Sequence, residues 1–150
     1  MYSTILVPLD GSEVAEEALP SVENVGTRFS SQIVLLRVAP PPDVVVSGYR
    51  TIAKTHQAIE ATTVEFEGYL SRVADRLRSK GLIVHTEVKF GDPAEEIVDY
   101  AKDNAVDLIA MCTHGRGGIS RWVYGSVADR VLRAAATPVL LIRWSGAKHE

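Results

Sequence analysis

Short apolar runs recur along the chain, and segments with helical patterning lie between them. The runs cover residues 4–9 (TILVPL), 33–38 (IVLLRV), 107–112 (DLIAMC) and 138–142 (PVLLI). Continuous rather than alternating hydrophobicity is typical of parallel strands that are covered on both faces. Strands that alternate with helices imply right-handed crossovers. The pattern therefore predicts an α/β fold, with a parallel sheet and helices on both of its faces.

Capping residues and apolar spacing mark the helices between these runs. A first helix is predicted from Ser12, which can act as its N-cap, with a kink at Pro20 because proline lacks an N–H donor. A second helix is predicted over residues 58–77, and a last one from Ser126. The run DPAE at residues 92–95 combines an N-cap, a proline at the first helical position and the acidic residue of a capping box, so it predicts a further helix.

Two segments differ from this pattern. Residues 82–90 alternate between apolar and polar side chains, so this strand is expected at an edge of the sheet. Residues 40–55 contain a proline run, a glycine and three consecutive valines, and are expected to form a long loop or a cover. No repeat or linker divides the chain, so residues 1–150 are expected to form one domain.

Charge and cysteine content argue against several classes of protein. The 16 Lys and Arg residues against 19 Asp and Glu give a net charge of -3, which provides no broad basic field, so nucleic-acid binding is not expected. The apolar runs are too short to cross a bilayer, and the N-terminus lacks the pattern of a secretory signal. Cys112 is the single cysteine, so no intramolecular disulfide can form. These features predict a cytoplasmic protein without membrane association.

A glycine-rich loop follows residues 107–112 and is the most informative segment. It contains Gly115, Gly117 and Gly118 and leads to Gly125-Ser126 at the start of the last helix. Ligands of open α/β sheets bind at this edge, glycines allow close backbone approach, and a helix N-terminus favours an anion. The loop therefore indicates a phosphate site, although it lacks the spacing of a Walker A loop. A tight turn followed by an ordinary N-cap is the alternative.

The sequence resembles the universal stress protein family in several segments. Gly115, nine intervening residues and Gly125-Ser126 resemble the second half of the family's nucleotide motif, G-x2-G-x9-G-[ST], whose first glycine falls on Cys112. The segments ILVPLDGS, VLLRV, GDPAEEIVDYA, THGRGG and GSVADRVLRAAATPVLLIR are also similar to the family. Because this resemblance runs nearly from end to end, the chain is identified from its sequence as a member of that family.

The resemblance implies a doubly wound, open, five-stranded parallel sheet in the order 3-2-1-4-5 and a site for ATP with Mg²⁺. At the matching positions, adenine would lie against Pro8, Leu9, Asp10 and Val38. Ribose and phosphates would be held by Cys112, Thr113, His114, Gly115, Arg116, Gly117 and Gly118, together with Gly125, Ser126, Val127 and Ala128. Asp10 also ends a predicted strand, where its carboxylate can accept from a ribose hydroxyl or hold Mg²⁺. Its alternative role is to cap the turn into the first helix.

Cys112 is the main departure from the family pattern. Its side chain replaces a glycine where the backbone would approach the ligand, so it is expected to weaken nucleotide binding without abolishing it. A nearby helix N-terminus would lower the pKa of the thiol and make it redox-sensitive. The alternative is a small buried side chain with no reactivity.

The resemblance implies a nucleotide-dependent switch in stress response or signalling. At most slow ATP hydrolysis is expected, because the loop lacks the lysine and the positioned general base of an efficient phosphoryl-transfer site. The alternative is a dimeric interaction protein of the same fold that binds no nucleotide. Family members dimerise through their last strand, and the apolar run at 139–142 lies on an expected edge strand, so a homodimer is expected.

Overall fold

The core of the fold is a parallel sheet. The structure is a computed structural model, which describes residues 1–41, 49–113, 125–144 and 146, except for the side chains of 49–54. The strands are β1 (Thr4–Pro8), β2 (Gln32–Ala39), β3 (Ile83–Phe90), β4 (Leu108–Thr113) and β5 (Val139–Arg143). Their order is β3-β2-β1-β4-β5, and every pairing is parallel. The predicted fold class and strand order are confirmed, and β3 lies at an edge as its alternating sequence predicts.

Helices cover both faces of the sheet. They are α1 (Glu13–Glu16), α2 (Leu19–Phe29), α3 (Tyr49–Arg78), α4 (Pro93–Asp103) and α5 (Ser126–Ala134). Alternate side chains of each strand point to opposite faces. On one face Ile5 packs in a buried cluster with residues of α2 and α3, such as Val22 and Leu70. On the other face Leu6 packs with residues of α4 and α5, such as Ile97 and Val131. The sheet is therefore doubly wound.

The region of Pro20 differs from the predicted kinked helix. The structure has two helices, because α1 ends at Glu16 and α2 begins at Leu19. Pro20 lies in the first turn of α2, where its missing N–H would have had no helical partner. The proline therefore starts a new helix rather than bending an existing one.

The loop predicted over residues 40–55 is wrong in its second half. Helix α3 begins at Tyr49, well before the predicted start at Ala58. No proline or glycine lies between these two residues, so nothing in the sequence stops the helix from extending towards its N-terminus. Residues 42–48 lie outside the part of the chain that the structure describes.

Asp92 joins the start of α4 to α5. Its Oδ2 accepts the N–H of Glu95 at 3.0 Å, which confirms the predicted N-cap, and its Oδ1 accepts Nη1 of Arg130 at 2.8 Å. The hydrogen bond from Arg130, followed by the one from Glu95, holds the pKa of the Asp92 carboxyl below its usual value. The charged form of Asp92 is therefore favoured in the folded protein.

This geometry predicts a pH-dependent effect of Asp92→Asn. Asparagine can still cap α4 but cannot form the ion pair, so the melting temperature near pH 7 should fall by about 1–4 °C. A carboxyl whose folded pKa is lowered stabilises the protein above its unfolded pKa, and that stabilisation is lost as pH falls through the folded pKa. Thermal unfolding of both proteins from about pH 7 to about pH 3 should therefore show the difference shrinking on acidification.

The matched control for Asp92→Asn is Arg133→Met, which removes an exposed ion pair to Asp129 within α5 alone. Its effect on the melting temperature should be smaller near pH 7, since it does not join two helices. A deficit of Asp92→Asn that stays constant or grows towards acid pH would contradict the assigned role of the ion pair.

Candidate functional site

A cleft opens at the carboxyl ends of β1, β2 and β4, beside the first turns of α4 and α5. In the order β3-β2-β1-β4-β5 the winding of the chain reverses between β1 and β4, and ligands of open α/β sheets bind at such a reversal. The residues that line the cleft are Pro8, Leu9, Asp10, Ala15, Leu36, Val38, Pro93, Ile97, Met111, Cys112, Gly125, Ser126, Val127 and Ala128.

The cleft brings together most of the site residues that the sequence predicts. Those lining it are Pro8, Leu9, Asp10, Val38, Cys112, Gly125, Ser126, Val127 and Ala128. Thr113 is buried at the end of β4 and is not among the lining residues. His114, Gly115, Arg116, Gly117 and Gly118 lie outside the described residues, so their predicted role stays a prediction.

Apolar side chains that the sequence reasoning missed complete the wall of the cleft. They are Ala15, Leu36, Pro93, Ile97 and Met111. Leu36 is two residues before Val38, so the alternation of strand side chains places both on one face of β2. That alternation could have identified Leu36 from the sequence, but nothing local marks Ile97 as different from other core residues. The wall as a whole can accept a flat apolar ring.

Asp10 lies at the end of β1, exposed at the rim of the cleft. Its Oδ1 accepts from the N–H of Ser12 at 2.9 Å and from Oγ of Ser12 at 2.5 Å. Oγ of Ser12 in turn accepts the N–H of Ala15 at 3.1 Å and caps α1. Asp10 therefore orders the turn into α1, as the alternative interpretation proposed. A carboxylate offers about four acceptor positions, so this role is compatible with ligand contact.

The N-terminus of α5 supplies hydrogen-bond donors to the cleft. Its N-cap is Gly125, which has no side chain to accept from the helix, and the N–H of Asp129 makes the first helical bond, to Gly125 O at 2.9 Å. The N–H groups of residues 126–128 therefore precede the hydrogen-bonded part of the helix. Since these residues line the cleft, the partial positive charge of the helix end is directed into it.

The Cys112 thiol does not have the low pKa expected from a nearby helix N-terminus. Burial raises the pKa of the thiol, and the negative charge of Glu17 raises it further, against a smaller opposite effect of the Thr113 backbone. The prediction of a lowered pKa is thus wrong, because burial and the charge of Glu17 both raise the pKa. A neutral, half-buried thiol fits the alternative of a small packing residue.

Metal-binding clusters and membrane-spanning helices are both absent from the described part of the chain. No group of three or more His, Cys, Asp or Glu residues converges there to hold a metal ion. Among the described helices, none combines the length and apolar character needed to cross a membrane.

The sequence profile described as the universal stress protein family matches residues 1–143. The universal stress protein MJ0531 of Methanocaldococcus jannaschii is 33% identical over 143 residues, covering 95% of this chain and 83% of that protein. The universal stress protein MJ0577 of the same organism is 30% identical, and the alignment covers 95% of this chain and 96% of that protein.

Solved structures show the same architecture. The structure of MJ0577 matches with a TM-score of 0.80 at 29% identity, covering 98% of this chain and 99% of that one. A universal stress protein from Lactobacillus plantarum matches at 0.77 and 25% identity, covering 95% and 98%. Two structures with lower identity share the fold: a universal stress protein in complex with cAMP, at 20% and a TM-score of 0.71, and an Arabidopsis thaliana family protein with AMP bound, at 17% and 0.66. This chain belongs to the universal stress protein family.

Proposed function

We propose that this protein binds ATP, with Mg²⁺, in the cleft and acts as a nucleotide-dependent switch in stress response or signalling. One observation carries the proposal: an apolar wall and the open N-terminus of α5 line the same cleft. An adenine nucleotide has the complementary form, with a flat base at one end and an anionic tail at the other.

The apolar wall is suited to the base. Leu36 and Met111 are buried at the inner side of the cleft, and Val38 is half-buried beside them. A planar ring placed against these side chains would be partly removed from water, and burial of apolar surface contributes roughly 25 cal/mol per Å². Asp10, at the rim, is the proposed acceptor for a ribose hydroxyl.

The start of α5 is suited to the phosphates. Backbone N–H groups at a helix N-terminus bind phosphate oxygens, and the helix dipole adds to the attraction. Mg²⁺ keeps several waters and commonly takes only one or two protein carboxylates beside phosphate oxygens. With Asp10 assigned to the ribose, Mg²⁺ would be held by the phosphate oxygens and by water.

Solved structures of the same fold give little guidance on the ligand of this chain. Two proteins of this fold hold cAMP and AMP, which are both adenine nucleotides. At 20% and 17% identity they speak for the fold alone. The choice of ATP therefore depends on the chemistry of the cleft in this chain and on the motif glycines at 115 and 125.

We also propose a homodimer formed through β5. This strand lies at the edge of the sheet and pairs on one side with β4, as in the register of Met111 with Leu141. Val139 to Ile142 are half-buried apolar residues. An apolar edge strand is suited to pairing with another chain.

The expected cytoplasmic location, single domain and lack of nucleic-acid binding stay predictions.

The direct test is the release of bound ligand from freshly purified protein by denaturation, followed by mass analysis. We expect ATP or ADP at about one molecule per chain. A blank result that persists after incubation with Mg²⁺-ATP would contradict the proposed function. It would favour the second candidate, a dimeric interaction protein without nucleotide, for which the side chain of Cys112 in the cleft is the supporting observation.

Ser126→Asp tests the phosphate end of the cleft. A carboxylate at the first position of α5 interacts favourably with the helix dipole, so the melting temperature of the variant should equal or exceed that of the wild type. The same charge repels phosphate, so ATP affinity should fall about tenfold or more relative to Ser126→Asn, which has the same shape without the charge. Adenosine affinity should differ little between the two variants. Calorimetric titration measures these affinities. Equal ATP affinities of Ser126→Asp and Ser126→Asn would mean that the phosphates do not lie at the start of α5.

Cys112→Gly tests whether the cysteine side chain restricts the cleft. Removing it should let the ligand approach the end of β4 and raise ATP affinity by about three- to tenfold. Cys112→Ser, which keeps the size of the side chain, is the matched comparison in the same titration. If glycine and serine give equal affinities, the side chain at this position does not limit binding. Melting temperatures separate this effect from the cost of glycine in a strand.

A further inference from the structure

Arg37 lies between the backbone of Gly11 and an aromatic ring of α3. Its Cζ is 3.6 Å from the centre of the Phe66 ring and 4.9 Å from that of Tyr69. A Cβ built on Gly11 would be 3.1 Å from Nη2, 3.2 Å from Cζ and 3.3 Å from Nη1 of Arg37. These near-equal distances show that the flat side of the guanidinium faces Gly11. The planar group is thus enclosed between a glycine and a phenyl ring.

The glycine in this stack belongs to the loop that carries Asp10. Gly11 has a φ of +85°, in the left-handed region that side chains disfavour. It separates Asp10 from Ser12, the two residues whose hydrogen bonds order the start of α1. Any side chain at position 11 would be strained by the backbone and would also lie in tight contact with the guanidinium of Arg37, which would have to shift by a few tenths of an ångström. Loop conformation and guanidinium position are therefore linked.

A second set of contacts holds α1 to the same part of α3. Tyr69 Oη donates to Glu16 Oε2 at 3.0 Å, and the guanidinium of Arg76 pairs with the other oxygen of Glu16. Burial and the charge of Glu16 raise the pKa of Tyr69 far above its usual value, so the phenol stays protonated as the donor. The loop is thus fixed at both ends, through β1 before Asp10 and through α1 after Ser12.

We propose that Arg37 is a positioning residue, which holds the loop at Asp10–Ser12 so that the Asp10 carboxylate faces the ribose in the cleft. The proposal rests on the proposed function for its ligand. Arg37 follows cleft-lining Leu36 and precedes Val38, and its own side chain points to the opposite face of the sheet. It therefore acts through the loop and touches no ligand. Arginine is suited to this, because its planar group stacks on both sides, whereas the ammonium of lysine cannot.

The first experiment uses amide hydrogen exchange of the nucleotide-free protein. In Arg37→Met the amides of Ser12 and Ala15, which donate to Asp10 and Ser12, should exchange about five- to tenfold faster than in the wild type. The amide of Glu95, which donates to Asp92 in the corresponding cap of α4, is the internal reference and should not change. Arg72→Met removes an exposed guanidinium from α3 and is the matched control.

The second experiment compares ATP with 2′,3′-dideoxy-ATP by calorimetric titration. If Arg37 acts through Asp10 and the ribose, Arg37→Met should lower the affinity for ATP about fivefold. Its affinity for the dideoxy analogue should change by less than about twofold. Arg37→Lys keeps the charge and should show most of the same loss. An equal loss for both nucleotides would indicate general loosening of the fold and overturn the positioning role.

The two experiments separate failure of this inference from failure of the proposed function. If the wild type binds no adenine nucleotide, the proposed function is wrong, and the exchange of Ser12 and Ala15 alone decides whether Arg37 positions the loop. If nucleotide binds but exchange at Ser12 and Ala15 is unchanged in Arg37→Met, the proposed function stands and the inference is overturned.

Discussion

The parallel alignment of β1, β2 and β4 is the constraint on which the rest of the structure depends. Because these strands run in the same direction, their carboxyl ends meet at one edge of the sheet. The chain winds away from β1 in both directions, which leaves a gap between the connections at that edge. Asp10, Val38 and Cys112 are far apart in sequence, and this topology alone places them in one cleft.

The two helices on the cleft side of the sheet begin in different ways. At α4 the carboxylate of Asp92 accepts a backbone N–H and is balanced by Arg130, so this helix end is already occupied by an anion of the protein. At α5 the cap is a glycine, which brings no side-chain anion to the helix end. Backbone N–H groups attract phosphate but transfer no proton during a reaction. Such a helix end is suited to holding an anion.

The parts of the structure that could be predicted are those fixed by local signals or by the resemblance. Continuous apolar runs predicted β1, β2, β4 and β5, alternation predicted β3, and the DPAE run predicted the cap of α4, because all of these signals depend on residues within a few positions. The kink expected at Pro20 is absent because a proline bends a helix only when it lies in the interior. Where the helix begins depends on packing. The pKa of Cys112 depends on burial by distant segments. Leu36 and Ile97 were missed because a core side chain and a cleft side chain have the same character.

Cys112 has a place both in the sheet and in the cleft. Its Cα pairs with that of Ile142 in the ladder between β4 and β5, so the position belongs to the sheet as much as to the cleft. A glycine would give a ligand closer approach, but glycine in a strand weakens the strand and leaves its neighbours unpacked. Burial keeps the thiol neutral, so the side chain brings no negative charge to the cleft. Cys112 thus affects the cleft through its size alone, while the N–H groups of α5 remain directed into the cleft.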